Sequence, residues 1–218
     1  MLLAIGLVGC GTRPSAPAQA VAAPGHAGTT PFQVDASASE LLLFLHADGP
    51  LAKVGHNHVI TSHGLRGTIW LHPQAQSSSC ELQLPVESLV VDDPQERAAA
   101  GAEYAEPLDE SARTGTREHM LGDRQLDAAA FPLVAMQCRQ LVPGTDTMTV
   151  QLTVTVRDHV SQLSVPVKWQ RSGNTLQADG EFTMTHGQLG LEPYSLLLGA
   201  LRVSDQIEVR FRLIARSS

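Results

Sequence analysis

The feature that most constrains this chain is a strict two-residue alternation of apolar and polar side chains. Met148, Val150, Leu152, Val154 and Val156 alternate with Thr149, Gln151, Thr153 and Thr155. A helix repeats every 3.6 residues, so this pattern fits an extended strand with one apolar and one polar face. The pattern recurs along the chain. Cys80, Leu82, Leu84 and Val86 share one face against Glu81, Gln83 and Glu87. Val134, Met136 and Cys138 repeat it, as do Leu163, Val165, Val167 and Trp169. Ala178, Phe182 and Met184 follow, then Ile207, Val209, Phe211 and Leu213 against Glu208, Arg210 and Arg212. The apolar run Leu41–Leu45 and the segment Arg66–His72 supply two earlier strands. About eight antiparallel strands result. A sheet with one apolar face must cover it, as a two-layer sandwich or a closed barrel. Eight strands close around an interior wide enough for side chains or for one ligand.

One long segment interrupts the strands. Asp93-Pro94 reads as a helix start, with Asp93 as N-cap and Pro94 at the first helical position. Gln95–Ala105 is rich in Ala and Glu and is predicted helical, and Ser111–Leu121 carries a second helical stretch weakened by Gly115. Together they form an insertion between the third and fourth strands. Turns are expected at Pro143-Gly144 and Ser172-Gly173-Asn174.

The N-terminus is of another kind. Met1–Gly9 is apolar and ends in small residues, the pattern of a secretory signal, although no Lys or Arg precedes it. Leu7-Val8-Gly9-Cys10 resembles the lipobox of bacterial lipoproteins, which implies cleavage before Cys10 and acylation of its sulfur. Residues 10–31 are rich in Ala, Pro and Gly, cannot bury enough surface to offset ordering, and read as a tether that includes a solvated His26. Residues 32–218 then form one domain. The whole chain is 43% hydrophobic and 17% charged, which leaves material for a core. A net charge of −7 and only 4% aromatic residues argue against nucleic-acid binding.

Gly55-His56-Asn57-His58-Val59-Ile60-Thr61-Ser62-His63 holds three of the nine histidines, with His46 and His72 nearby. We expect this stretch at one edge of the barrel mouth. Two readings stand: a polar rim loop, or His56, His58 and His63 (or His46) as imidazole ligands to zinc, copper or a haem iron. His186 continues the parity of Phe182 and Met184, so it faces inward near a strand end, either satisfied there or hydrogen-bonded to a ligand head group. His159 falls in a hairpin turn and is expected to be exposed. No Gly-x-Ser-x-Gly elbow, His-Glu-x-x-His, phosphate loop or dinucleotide fingerprint occurs.

The ordered set of segments resembles the YceI family from about Phe32 to Ala215. Val34-Asp35 precedes the first apolar strand, and Leu65-Arg66-Gly67-Thr68-Ile69 resembles the family's second strand. Glu87-Ser88-Leu89 with Asp92-Asp93 resembles the end of the third, and Asp127–Pro132 the approach to the fourth. Thr153–Val160 resembles its hairpin, with Asp158-His159-Val160 in place of His-Gly-Val. Gly180-Glu181-Phe182 and Val203–Val209 resemble the last two strands. The histidine-rich segment and the long acidic insertion depart from the common pattern. The resemblance implies an all-β fold, an antiparallel eight-stranded lipocalin-like barrel with the helical insertion. It implies a non-catalytic periplasmic protein that holds an isoprenoid, such as a quinone or polyprenyl lipid. With the Cys10 anchor, this places the protein on the periplasmic side of a bacterial cell envelope.

On this reading the ligand lining comes from Leu82, Leu84, Val86, Val134, Met136, Leu152, Val154, Val165, Val167, Phe182, Met184, His186 and Phe211. Val150 and Val209 share their parity. Periodicity alone also allows these side chains to pack together with no cavity. Once Cys10 is acylated, Cys80 and Cys138 remain on neighbouring strands in an oxidising compartment, either as a disulfide or as two buried thiols. The oligomeric state, a dimer included, stays open.

Overall fold

A computed structural model describes residues 26–143 and 147–218. The signal segment, Cys10, most of the tether and the tip of the Pro143-Gly144 turn lie outside the described residues.

The alternating segments form strands, and the strands close into a barrel. In chain order they are β1 (Thr30–Val34), β2 (Glu40–Asp48), β3 (His58–Ser62), β4 (Arg66–Leu71), β5 (Ser79–Pro85), β6 (Val90–Val91), β7 (Leu133–Pro143), β8 (Met148–Val156), β9 (His159–Ser172), β10 (Thr175–Thr185), β11 (Ser195–Leu196) and β12 (Leu201–Arg216). The helices α1 (Pro94–Ala100) and α2 (Glu110–Leu121) lie between β6 and β7. All pairings are antiparallel. They run β1-β4-β5-β7-β8-β9-β10-β12, and β1 pairs again with β12 to close the ring. Above β1, β12 also pairs with β2, β2 with β3 and β3 with β6. The first three staves of the eight-stave barrel are therefore each broken in two: β1/β2, β3/β4 and β5/β6.

The three breaks lie side by side and share hydrogen bonds. Ser39 Oγ donates to Asp35 O (2.7 Å) and accepts from Ile214 N–H (3.0 Å). His63 Nδ1 donates to Ser39 O (2.7 Å). Ser62 Oγ and Ser88 Oγ are 2.7 Å apart, and Ser88 Oγ donates to Pro85 O (2.6 Å). Where a strand bends, ladder bonds are lost, and these side chains replace them.

The predicted insertion is present, with altered limits. Asp93 caps α1 by accepting from Gln95 N–H (2.9 Å), with Pro94 in the first turn. The helix stops at Ala100, not Ala105, because Gly101 takes φ 119°, outside helical space. A short turn, Ala102–Tyr104, follows and buries Tyr104. Asp109 caps α2 through Ala112 N–H (2.8 Å).

The expected rim stretch is a loop at the mouth only as far as Asn57, and the rest needs correction. His58–Ser62 is strand β3 of the wall, and Val59 to Ser62 are buried. The β-branched Val59-Ile60-Thr61 suits a pleated, half-buried surface. Its alternation serves two cores. Ile60 faces the barrel interior, while Val59 and Phe44 face outward under Tyr104 and Ala100 of the insertion. The remaining apolar rows face inward: Leu82 opposes Met136, Met136 opposes Val154, and Val150 opposes Val165.

Candidate functional site

The inward faces do not fill the barrel. They enclose an apolar tube of about 300 Å³. Twelve of the thirteen residues expected to line a ligand site border it: Leu82, Leu84, Val134, Met136, Leu152, Val154, Val165, Val167, Phe182, Met184, His186 and Phe211. Val86 is the exception. β5 ends at Pro85 and Val86 opens a tight turn, so the parity breaks. Its side chain packs in the wall, 1% exposed, without reaching the tube. Val150 and Val209 also border the tube.

Other lining residues were not anticipated. Leu41, Leu43 and Leu45 of β2 alternate and were legible as such; Ile69 and Leu71 do the same on β4. Met120, Gln125 and Leu126 come from α2 and the segment after it, which fold over one end of the tube. No strand periodicity signals them.

At that end the tube meets a vestibule of about 410 Å³ whose lining is still mainly apolar but carries more polar side chains than the tube. Leu45, Ile60, Met120, Gln125 and His186 border both spaces, so the two adjoin. His56, His58, His119, Ser111, Thr116 and Tyr194 line the vestibule. The ring of Tyr194 stacks on His119 of α2 at 4.6 Å. His186 is buried, and its Nδ1 donates to Asp205 O (3.1 Å).

The metal expectation is corrected. Among the described residues no group of three or more His, Cys, Asp and Glu side chains is arranged to hold a metal ion. The three histidines serve different ends. His63 donates to Ser39 O at the strand break. His56 is exposed and lies 3.6 Å from Glu106. His58 Nδ1 lies 2.6 Å from Oδ2 of Asp92, which has no exposed surface. His46 goes elsewhere again, with Nε2 3.1 Å from the Tyr104 hydroxyl and 3.5 Å from Glu208.

Asp92 is the centre of a buried polar knot. Its Oδ1 accepts from Val59 N–H (2.9 Å) and from Arg97 Nη1 (2.6 Å). Arg97 also donates to the carbonyls of Asn57 (2.7 Å) and Glu106 (2.9 Å). Burial pushes the Asp92 carboxyl up. The hydrogen bond and charge of His58, with the Val59 N–H and Arg97, outweigh burial and hold it below its ordinary value. The knot ties the insertion to β3 beside the vestibule.

Cys80 and Cys138 oppose each other on β5 and β7, with Cα atoms 4.9 Å apart, and form a disulfide in the tube wall.

The sequence matches the family model described as a YceI-like domain over residues 32–215. The chain belongs to the YceI family. Solved structures agree on the fold. Burkholderia cenocepacia BcnA superposes with a TM-score of 0.60 at 15% identity, covering 83% of this chain and 98% of that one. A polyisoprenoid binding domain from Saccharophagus degradans, described as implicated in plant cell wall breakdown, gives 0.57 at 15% identity, covering 86% and 98%. The Campylobacter jejuni YCEI protein gives 0.51 at 8% identity, covering 71% and 81%. The comparison with curated proteins finds no match. At these identities the likeness concerns the YceI fold, a closed barrel of eight antiparallel staves.

Proposed function

We propose that this YceI-family chain is a binding protein that holds an isoprenoid or similar long-chain amphiphile, with no reaction carried out on it. The tail occupies the tube and the head group sits in the vestibule. The observation that carries this reading is an almost wholly apolar tube adjoined at one end by a mouth that adds histidine, serine, threonine and tyrosine side chains to a mainly apolar lining. A void of this kind is costly when empty. Each methylene that enters gains about 0.8 kcal/mol. The polyisoprenoid binding domain of Saccharophagus degradans, which shares the fold, supports the choice of tail.

The protein works on the periplasmic side of a bacterial envelope, held there by acyl chains on Cys10. The lipobox-like Leu7–Cys10 segment and the tether after it support this reading.

Native mass spectrometry followed by organic extraction tests the cargo. A stoichiometric isoprenoid is expected. A protein that carries none and takes up no added polyprenol excludes the reading. Labelling of the wild type, but not of Cys10→Ala, with radioactive palmitate tests the anchor.

A further inference from the structure

The rim of the vestibule carries the most exposed apolar side chains of the described residues. Ser195 and Leu196 of β11 pair with Arg202 and Leu201 of β12, so residues 195–202 form a hairpin tipped by Leu197 and Leu198. Both leucines hold left-handed backbone, with φ 50° and 56°. A side chain disfavours that conformation because its Cβ crowds the following carbonyl. Leu197 is 70% exposed and Leu198 wholly so. The neighbouring loop joins the hairpin where Leu51 N–H donates to Ala200 O (2.9 Å). Val54 of that loop is 70% exposed, and both Val54 and Leu196 line the vestibule.

We propose that this leucine-tipped rim docks on the surface of a lipid bilayer, so that cargo passes between bilayer and tube without its tail crossing water. It rests on the carrier reading for the cargo, but the contact itself does not. The rim has the chemistry for lipid. Residues 49–57 contain one fixed charge, Lys53, and Arg202 beside the hairpin is paired with Asp48 (2.7 Å). The net charge of −7 gives no general attraction to anionic lipid, so insertion of apolar side chains drives the contact. A protein partner fits less well. A stable interface takes about 20–30 residues a side, and two loop tips supply far fewer. Separate protruding leucines suit a fluid apolar phase, which needs no matching surface.

Insertion is read with Leu198→Trp in the full-length chain on vesicles of phosphatidylethanolamine and phosphatidylglycerol, against the wild type as baseline. Asn174→Trp, in the β9–β10 turn at the other end of the barrel, is the control. The added indole at 198 is expected to shift to shorter wavelength and to be quenched by brominated phospholipid, and the one at 174 is not. The paired change Leu197→Ser with Leu198→Ser is expected to slow transfer of a fluorescent polyprenol from vesicles by about tenfold or more. Its uptake from detergent solution stays the same. An unquenched indole at 198, equal quenching at both positions, or unaltered transfer overturns the proposal. So does a leucine-dependent dimer in sedimentation, which makes the rim a contact between copies. Quenching at 198 in a protein that takes up no polyprenol leaves docking standing and removes the carrier reading alone.

Discussion

His58 Nδ1 lies 2.6 Å from Asp92 Oδ2, and the two residues come from strands and loops 34 positions apart. Asp92 holds φ 54°, a conformation that Asp and Asn accept more readily than other side chains. Its carboxyl sits below the ordinary 3.8, because its partners outweigh the effect of burial. A carboxyl depressed in the folded state adds stability above its unfolded pKa. That stability is lost as pH falls through the folded value. The wild type is therefore expected to weaken in acid, below about 3.8. Asp92→Asn keeps the shape and backbone but leaves Arg97 buried beside a neutral group. We expect it to lose about 3–5 kcal/mol at neutral pH and to respond less to acid. Urea unfolding across that range checks both. A variant as stable as the wild type shows that the knot does not hold the insertion.

Tyr104 provides a second titration, on the outer face. It packs on Phe44 with ring centroids 5.6 Å apart and is 2% exposed. Burial, with smaller effects of Glu103 and Glu208, pushes its phenol up to about 12. A raised pKa means that this residue's contribution is whole below 10.0 and disappears as pH rises through about 12. In an ultraviolet titration, phenolate absorbance that is missing from Tyr104→Phe should appear near pH 12. Its appearance near 10 means that Tyr104 is not enclosed.

The tube itself can be narrowed or charged. Gly180 of β10 opposes Phe211 of β12, and a Cβ on Gly180 would overlap the Phe211 ring. The same Cβ would also crowd the Pro166 carbonyl oxygen of β9, so Gly180→Ala should displace the ring, strain the wall beside β9 and reduce the longest tail accepted. Phe182, two residues on, borders the tube but is only partly buried, so Phe182→Asp should fold. An unpaired carboxylate in an apolar space is strongly disfavoured. Retention of a polyprenol is expected to fall by at least about tenfold, which corresponds to 1.4 kcal/mol. A folded Phe182→Asp that retains cargo as well as the wild type counts against the tube as the binding site.

The lining of the tube was legible because its signal is local: on β8, Val150 and Val154 face one way and Gln151 and Thr153 the other. Phe44 and Val59 show what alternation misses. They stand on the outward face of their strands, yet Tyr104 covers them from a segment far along the chain. The fate of the histidines was hidden for the same reason. Only the pairing of β3 with β6, Ile60 opposite Val91, brings Asp92 to His58. The breaks at Ser39, Ser62 and Ser88 carry no signature, because serine fits many backbone settings. Whether the inward side chains meet depends on barrel radius, a property of closure and not of any one strand.

Cys80 and Cys138 face each other across β5 and β7, 58 positions apart in sequence. The bond closes a loop that includes the whole insertion. In the chain-entropy view, such a loop restricts the unfolded ensemble by about 4 kcal/mol, and measured effects run at about 2–4 kcal/mol. Strand pairing already holds the two Cα atoms 4.9 Å apart, so the bond is expected to stabilise the fold without defining it. Cys80→Ala with Cys138→Ala should fold, lose about 2–4 kcal/mol in urea unfolding, and still take up polyprenol. Thiol counting under denaturing conditions, with and without reductant, checks the bond in the wild type. Two titratable thiols before reduction would show that these neighbours are unbonded.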